Sequence, residues 1–354
     1  MHRSAMLRGA KLMALKAAEA LHVDRFLLRS AWRSRRLLIL CYHGISIDDE
    51  HLWDSSLYMP RPVLRRRFEI LRELDAKVLP LGEAIERMEA GTLPPRSVAI
   101  TFDDGNYDFL TQALPLIREF SYPVTLYLTT YYSDFNRPVF DVACSYLSWK
   151  ARGRTLVWPE VVGAPVLLDD ANRAAIDRRI KDYVKSAGLS GAAKDNLLRD
   201  LAGRLGIDYD ALGTRRLFHL VTADEARELA AAGVDVQLHT HRHRTSRDRD
   251  FFRREIDENR AAIARITSEP ANHFCYPGGF HLPEFPEWLR ERGVVSATTC
   301  EPGLTTRETD RLLLPRLVDH TGLTEEEFRG WVSGVASWLP HRAHVMSEGQ
   351  LLEG

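Results

Sequence analysis

Several features that would place a chain in a function class at once are missing here. No uncharged apolar run approaches the ~20 residues that a helix needs to cross a bilayer. The chain has four cysteines, Cys41, Cys144, Cys275 and Cys300, and none is in a CxxC pair. Their apolar, strand-like surroundings fit buried thiols in a reducing compartment better than a disulfide framework. No GxGxxG or Walker-type loop opens a helix, which leaves a nucleotide-binding fold with little support. Charge of one sign is also missing. The net charge is −1, so there is no global reason to expect nucleic acid or an anionic polymer as partner.

What is present suits a soluble globular chain of 354 residues, 45% hydrophobic and 27% charged, long enough for one large α/β domain or two smaller ones. Residues 1–36 carry nine Lys or Arg against two acids, with charges throughout, unlike a secretory signal. Met6, Ala10, Met13, Ala17 and Ala20 recur at helical spacing, predicting a basic amphipathic helix. Such an extension either packs on the outside of the domain or makes peripheral contact with an anionic membrane surface. The expected location is cytoplasmic, with membrane-peripheral attachment as its variant.

After Arg36 strands and helices alternate. Apolar or β-branched runs at 37–42, 77–79, 97–102, 123–129, 234–238, 273–276, 294–299 and 312–318 read as strands. Helical periodicity falls at 61–75, 82–90, 109–120, 249–267 and 284–292. Thr222 and Glu225 form a capping box that opens a further helix running to Ala232. Residues 132–221 interrupt the rhythm as a mainly helical insertion. The alternation implies a parallel sheet, either closed or open and doubly wound. Unusual polar residues at several strand ends favour a distorted (β/α) barrel of about seven strands. The domain boundaries read as a helical extension at 1–36, the barrel at 37–330 with its insertion, and a tail at 331–354.

Three strand ends carry chemistry. The run Ser97–Phe102 ends in Asp103-Asp104-Gly105, the first strand leads into His43-Gly44, and the strand at 234–238 ends in His239-Thr240-His241-Arg242-His243. Two adjacent acids at a buried strand end repel each other and lose hydration unless a cation joins them. Asp-Asp-Gly also fits an ordinary exposed turn. Histidines four apart can converge on a metal, yet three histidines among arginines also fit a solvated basic loop, and His241 could compete as a ligand.

Thr101–Gly105 matches the TFDDG motif of the polysaccharide deacetylases (the NodB-homology group, carbohydrate esterase family 4), and His239-Thr240-x-x-His243 matches their H-[ST]-x-x-H motif. Phe274–Gly279 is similar to a variant of their third motif, and the resemblance covers roughly residues 37–320. It implies Asp103 as general base and Asp104, His239 and His243 as ligands of one divalent metal. Zn²⁺ is the expected ion, with Co²⁺ or Ni²⁺ as substitutes. The substrate would be an N-acetylated glycan or glycan precursor, cleaved to acetate and an amine, and no obligate protein partner is evident. The third-motif alignment points to the N–H of Gly278 as oxyanion donor. Cys275 stands where that motif usually carries an arginine, and Arg316 is the candidate to take over its pairing with the base. No Leu-x-His segment supplies the family's usual acid. Tyr42-His43-Gly44-Ile45 resembles the YHxI segment of the PgaB- and IcaB-like poly-N-acetylglucosamine deacetylases, which makes His43 the expected general acid, ahead of His281 and His320. Tyr131, Tyr132, Trp149 and Trp158 are candidates for a sugar groove or for the core of the insertion. The alternatives are hydrolysis of a small non-polymeric amide, and a silent glycan-binding protein.

Overall fold

The computed structural model describes residues 2–341 and 351–352. Its centre is one parallel sheet, built from β1 (Leu38–Tyr42), β2 (Lys77–Val78), β3 (Ser97–Phe102), β4 (Thr125–Leu128), β5 (Asp235–Leu238), β6 (His273–Cys275), β7 (Ser296–Thr298) and β8 (Leu317–Val318). The spatial order is β7-β6-β5-β4-β3-β1-β8, with β2 beside the first half of β3. The sheet curls until its edges meet. Leu314, just before β8, forms a parallel bridge with Thr298 of β7, while Leu317 and Val318 pair with Leu40 and Cys41 of β1. One stretch, 311–318, therefore links both edges, and the expected barrel of about seven strands is what forms.

Every residue of β1 and β3 is buried, as a parallel sheet covered on both faces requires. The period of two along β3 sorts its side chains. Val98, Ile100 and Phe102 join the core beneath the outer helices, whereas Ala99 joins an inner cluster with Leu37, Ile39, Tyr127, Cys275 and Leu314. Continuing that alternation carries Thr101 and Asp103 to the inner face. Because all strands are parallel, His43, Asp103 and His239 leave the sheet at one end, where barrel folds gather their chemistry.

The basic N-terminal segment forms helices His2–Ala20, Val23–Leu28 and Ala31–Ser34. Leu15, Leu27 and Leu28 are buried in the main core, and Lys11 and Lys16 face Glu327 and Glu326. The receiving helix, Glu325–Ser333, begins with the capping box of Thr324 and Glu327. It runs across the expected boundary at residue 331, and Trp331, Val332, Val335 and Ala336 are core residues. The packed structure thus continues through the first part of what the sequence suggests is a tail. The rest of that segment, 342–350 and 353–354, lies outside the described residues.

The insertion holds helices Phe140–Lys150, Arg173–Ser186 and Gly191–Arg204, shorter helical turns, and a small antiparallel pair at 155–156 and 166–167. It has a hydrophobic core of its own. Trp149 and Trp158 are buried in that core, which removes them from any sugar groove. An aromatic group of Trp53, Tyr58, Tyr146 and Phe218 fastens the insertion to the segment following His43.

Candidate active site and metal centre

Asp103 sits beneath the barrel mouth, and its partner is Arg316. The guanidinium donates Nη1–H to Oδ1 and Nη2–H to Oδ2, both at 2.7 Å. Arg316 is fully buried and also donates to the Thr299 carbonyl at 2.9 Å and to Thr101 Oγ1 at 3.0 Å. A surface ion pair is thereby ruled out for this arginine. Burial alone would raise the Asp103 carboxyl, but Arg316 overrides it and holds the group well below the usual carboxylate range. Cys41 and Cys275 place their thiols 3.4 and 3.3 Å from Oδ2. Burial pushes the Cys41 thiol far up, so it remains a weak S–H donor. Cys275 fills the position of the third-motif arginine, and Arg316 brings the charge in from the opposite edge of the sheet.

Asp104 turns the other way. Its φ of 71° and that of Gly105, 85°, reverse the chain after β3. A Cβ on Gly105 would lie 2.3 Å from Leu128 Cδ1, so this position admits only glycine without a shift in β4. Asp104 Oδ1 then lies 3.2 Å from both His239 Nε2 and His243 Nε2. The two histidines approach from a tight loop and not from a helical face, with Thr240 and His243 both in the left-handed region. Such backbone costs of order 1–3 kcal/mol per residue and persists where surrounding contacts impose it.

Those contacts come from helix Arg249–Ile263 beneath the loop. Buried Asn259 accepts from the His239 N–H at 2.9 Å and donates to the Leu128 carbonyl at 3.0 Å and Thr130 Oγ1 at 2.9 Å. Buried Glu255 accepts from the Arg242 backbone N–H and from its guanidinium, both at 2.6 Å. Neither residue stands out among the motifs. The available signal was two polar residues four apart among the apolar positions Phe252, Ile256 and Ile263 of an amphipathic helix.

The donor set fits a divalent metal. His239 Nδ1 lies 2.9 Å from the Cys275 carbonyl, which can only accept, so Nδ1 carries a proton and Nε2, beside Asp104, is the atom that would ligate a metal. Asp104, His239 and His243 each bring one ligand atom within 4.8 Å of the others. One carboxylate and two imidazoles leave positions open for water and substrate, as in catalytic zinc sites. His241 is turned away, with Nδ1 at 2.8 Å from Thr130 Oγ1.

His43, Asp104, His239, His243 and Gly278 line one cavity of about 780 Å³, within the size range of ligand sites. Asp103 is not on its wall; His43 Nε2 lies between, 3.8 Å from Asp103 Oδ2. Gly278 has φ 58° in the Pro277–Gly279 turn. Tyr132 also lines the cavity, whereas Tyr131 lines a neighbouring one. His281 and His320 are absent from the wall; His281 lies against the Gly279 carbonyl and His320 accepts from the Gly322 N–H.

Residues 173–296, which include both histidine ligands and the third-motif turn, match the family model described as Polysaccharide deacetylase. That match covers 124 of the 354 residues. The matched span begins after Asp103 and Asp104, and the barrel brings that pair to the histidines. Poly-beta-1,6-N-acetyl-D-glucosamine N-deacetylase of Escherichia coli K12 is 26% identical to this chain over 101 residues, 28% of this chain and 15% of that protein. The Staphylococcus epidermidis protein of the same name is 36% identical over 66 residues, 19% of this chain and 23% of that protein. The aligned stretches thus span less than a quarter of either relative. Among solved structures, the Streptococcus pyogenes deacetylase PplD in complex with acetate superposes with a TM-score of 0.54 at 14% identity, covering 82% of this chain and 96% of that one. IcaB from Ammonifex degensii gives 0.53 at 16% identity, covering 84% and 97%. At these identities the likeness establishes the fold alone.

Proposed function

We propose that the chain is a metal-dependent hydrolase that removes the acetyl group from an N-acetylhexosamine in a glycan or glycan precursor. One observation carries the reading: Asp104 and two histidines converge at the wall of a cavity, and the buried, arginine-paired Asp103 lies behind His43 on that wall. Zn²⁺ is the ion favoured by the donor set, and when bound it would polarise the amide carbonyl and acidify an attacking water. Asp104, His239 and His243 would hold it, with the Cys275 carbonyl and Asn259 fixing His239.

The remaining chemistry belongs to the chain. Asp103, kept ionised by Arg316, is the acceptor for the proton of the attacking water, and His43 Nε2, 3.8 Å from its Oδ2, stands between it and the cavity. The N–H of Gly278 stabilises the oxyanion as the carbonyl becomes tetrahedral. His43 protonates the leaving nitrogen, without which an amine cannot depart. Exposed Met13, Leu21 and Phe26 near Arg25 and Arg29 support peripheral attachment of residues 1–36 to an anionic membrane surface, which vesicle co-sedimentation would read out.

The test is acetate release from N-acetylated glycans by purified protein, with metal content measured alongside. Near-stoichiometric metal and turnover that a chelator abolishes are expected, and Asp103→Asn should keep the metal and lose turnover. Metal and glycan affinity without acetate release would establish a silent binding protein instead.

A further inference from the structure

The roof of the cavity is cationic in a way the balanced overall charge conceals. Lys181 and Lys185 stand one turn apart on helix Arg173–Ser186, Lys194 lies in the first turn of helix Gly191–Arg204, and Arg244 follows the ligand loop; all four line the cavity that holds the metal ligands. None of them has a carboxylate within 4.0 Å among the described residues, although ion pairs occupy many other basic side chains. Arg242, also on the wall, is matched by Glu255 and Glu258. Apart from Asp104, which faces the histidines, Asp141 is the acid on the wall. Lys194 and Arg244 also line an adjoining cavity of about 360 Å³, so the positive surface continues beyond the acetamide position.

Lys181, Lys185, Lys194 and Arg244, partly buried or exposed, reach one cavity from two helices and a loop, so an anion bound there would meet four cationic side chains. They would also disfavour a polymer that accumulates protonated amines as its acetyl groups are removed. We propose that the substrate carries an oxyanion, a phosphate ester or a carboxylate, near the acetamido sugar, and that Lys181, Lys185, Lys194 and Arg244 hold it. The proposal rests on the deacetylase reading and names the substrate class of that site. Phosphate and carboxylate share the chemistry of charge-assisted hydrogen bonds to ammonium and guanidinium groups.

The experiment compares metal-loaded wild type with Lys181→Gln/Lys185→Gln and Arg244→Gln on three probes: N-acetylglucosamine 1-phosphate, a neutral methyl N-acetylglucosaminide, and an oligosaccharide alternating N-acetylglucosamine with glucuronate. Acetate release gives kcat/KM, and calorimetry gives binding. The anionic-to-neutral ratio of kcat/KM should fall about two- to fivefold per charge removed, as for partly exposed charge pairs. For wild type, KM of the anionic probes should rise with ionic strength while that of the neutral probe stays level. The better of the two anionic probes identifies the source of the oxyanion. Equal kcat/KM on charged and neutral probes, unmoved by salt, overturns the proposal and leaves the deacetylase reading standing. Lysine-dependent, salt-sensitive binding of an anionic probe with no acetate from any of them sustains the proposal and overturns that reading. Failure of both anionic probes to bind overturns the proposal outright.

Discussion

Arg316 and Asp103, 213 residues apart in sequence, meet as a two-pronged ion pair at 2.7 Å with both side chains enclosed by the barrel. Removing one partner of such a pair leaves a bare charge in the interior, which costs roughly 3–5 kcal/mol, whereas removing both can be nearly neutral. Arg316→Met should therefore unfold at distinctly lower denaturant than wild type. Arg316→Met/Asp103→Asn should recover most of that stability without recovering activity. A single variant as stable as wild type would refute the pairing.

His43 is assigned to protonate the leaving nitrogen, a demand that depends on the leaving group. His43→Gln should lower kcat on an N-acetyl sugar by roughly 10²–10⁴-fold, the range of general acid catalysis. On an aryl acetate, whose phenolate departs unprotonated, it should do far less, and metal content should be unchanged. Equal losses on both substrates would remove the acid role from His43.

Asn259 holds the His239 backbone from below, between β4 and β5. Asn259→Leu keeps the volume and deletes these bonds, so metal affinity should weaken by about 10–100-fold, as for supports one layer behind a metal ligand. Chelator competition measures this directly. An unchanged midpoint would show that the strained loop needs no such brace.

A pH effect is expected at Asp319, buried beside Arg67 with Nε 2.9 Å from Oδ2. Burial is the larger influence and raises its carboxyl to about 6, even though Arg67 pulls it down. The folded form thus holds its proton more tightly than the unfolded chain. The associated stability is full below about pH 4 and is lost as pH rises through about 6. Asp319→Asn mimics the protonated acid, so wild type should lose roughly 3 kcal/mol relative to this variant between pH 4 and pH 8. A pH-independent difference between the two proteins would contradict the assignment.

The parts of the site that sequence exposed are those with no structural reason to be where they are. Asp103, Asp104, His43 and His239 end buried strands, and an acid or imidazole at such a position asks for a partner. Arg316 was visible only as a candidate, because its partner depends on how the sheet's edges meet, and Leu314 bridging to Thr298 is not written in local periodicity. Trp149 and Trp158 have the same residue type as groove-lining aromatics, and only the insertion's own core separates the two roles. Lys181 and Lys185 read as the solvated face of an amphipathic helix. Their position over Asp104, His239 and His243 follows from the docking of the insertion, which no single segment encodes. The packing of the helix through residue 331 is not marked by local sequence, because its core contacts come from the far end of the chain, at Leu15, Leu27 and Leu28.

The insertion and the barrel bury separate sets of apolar side chains, joined through a few aromatics near Tyr58. The residues assigned to bond cleavage all belong to the barrel, whereas three of the four cations over the cavity belong to the insertion. Each half can then change with little disturbance to the packing of the other. A different insertion, with other charges on its inner face, could be set over the same acid and histidines, so that the ligand admitted would change while the groups beneath it stayed the same.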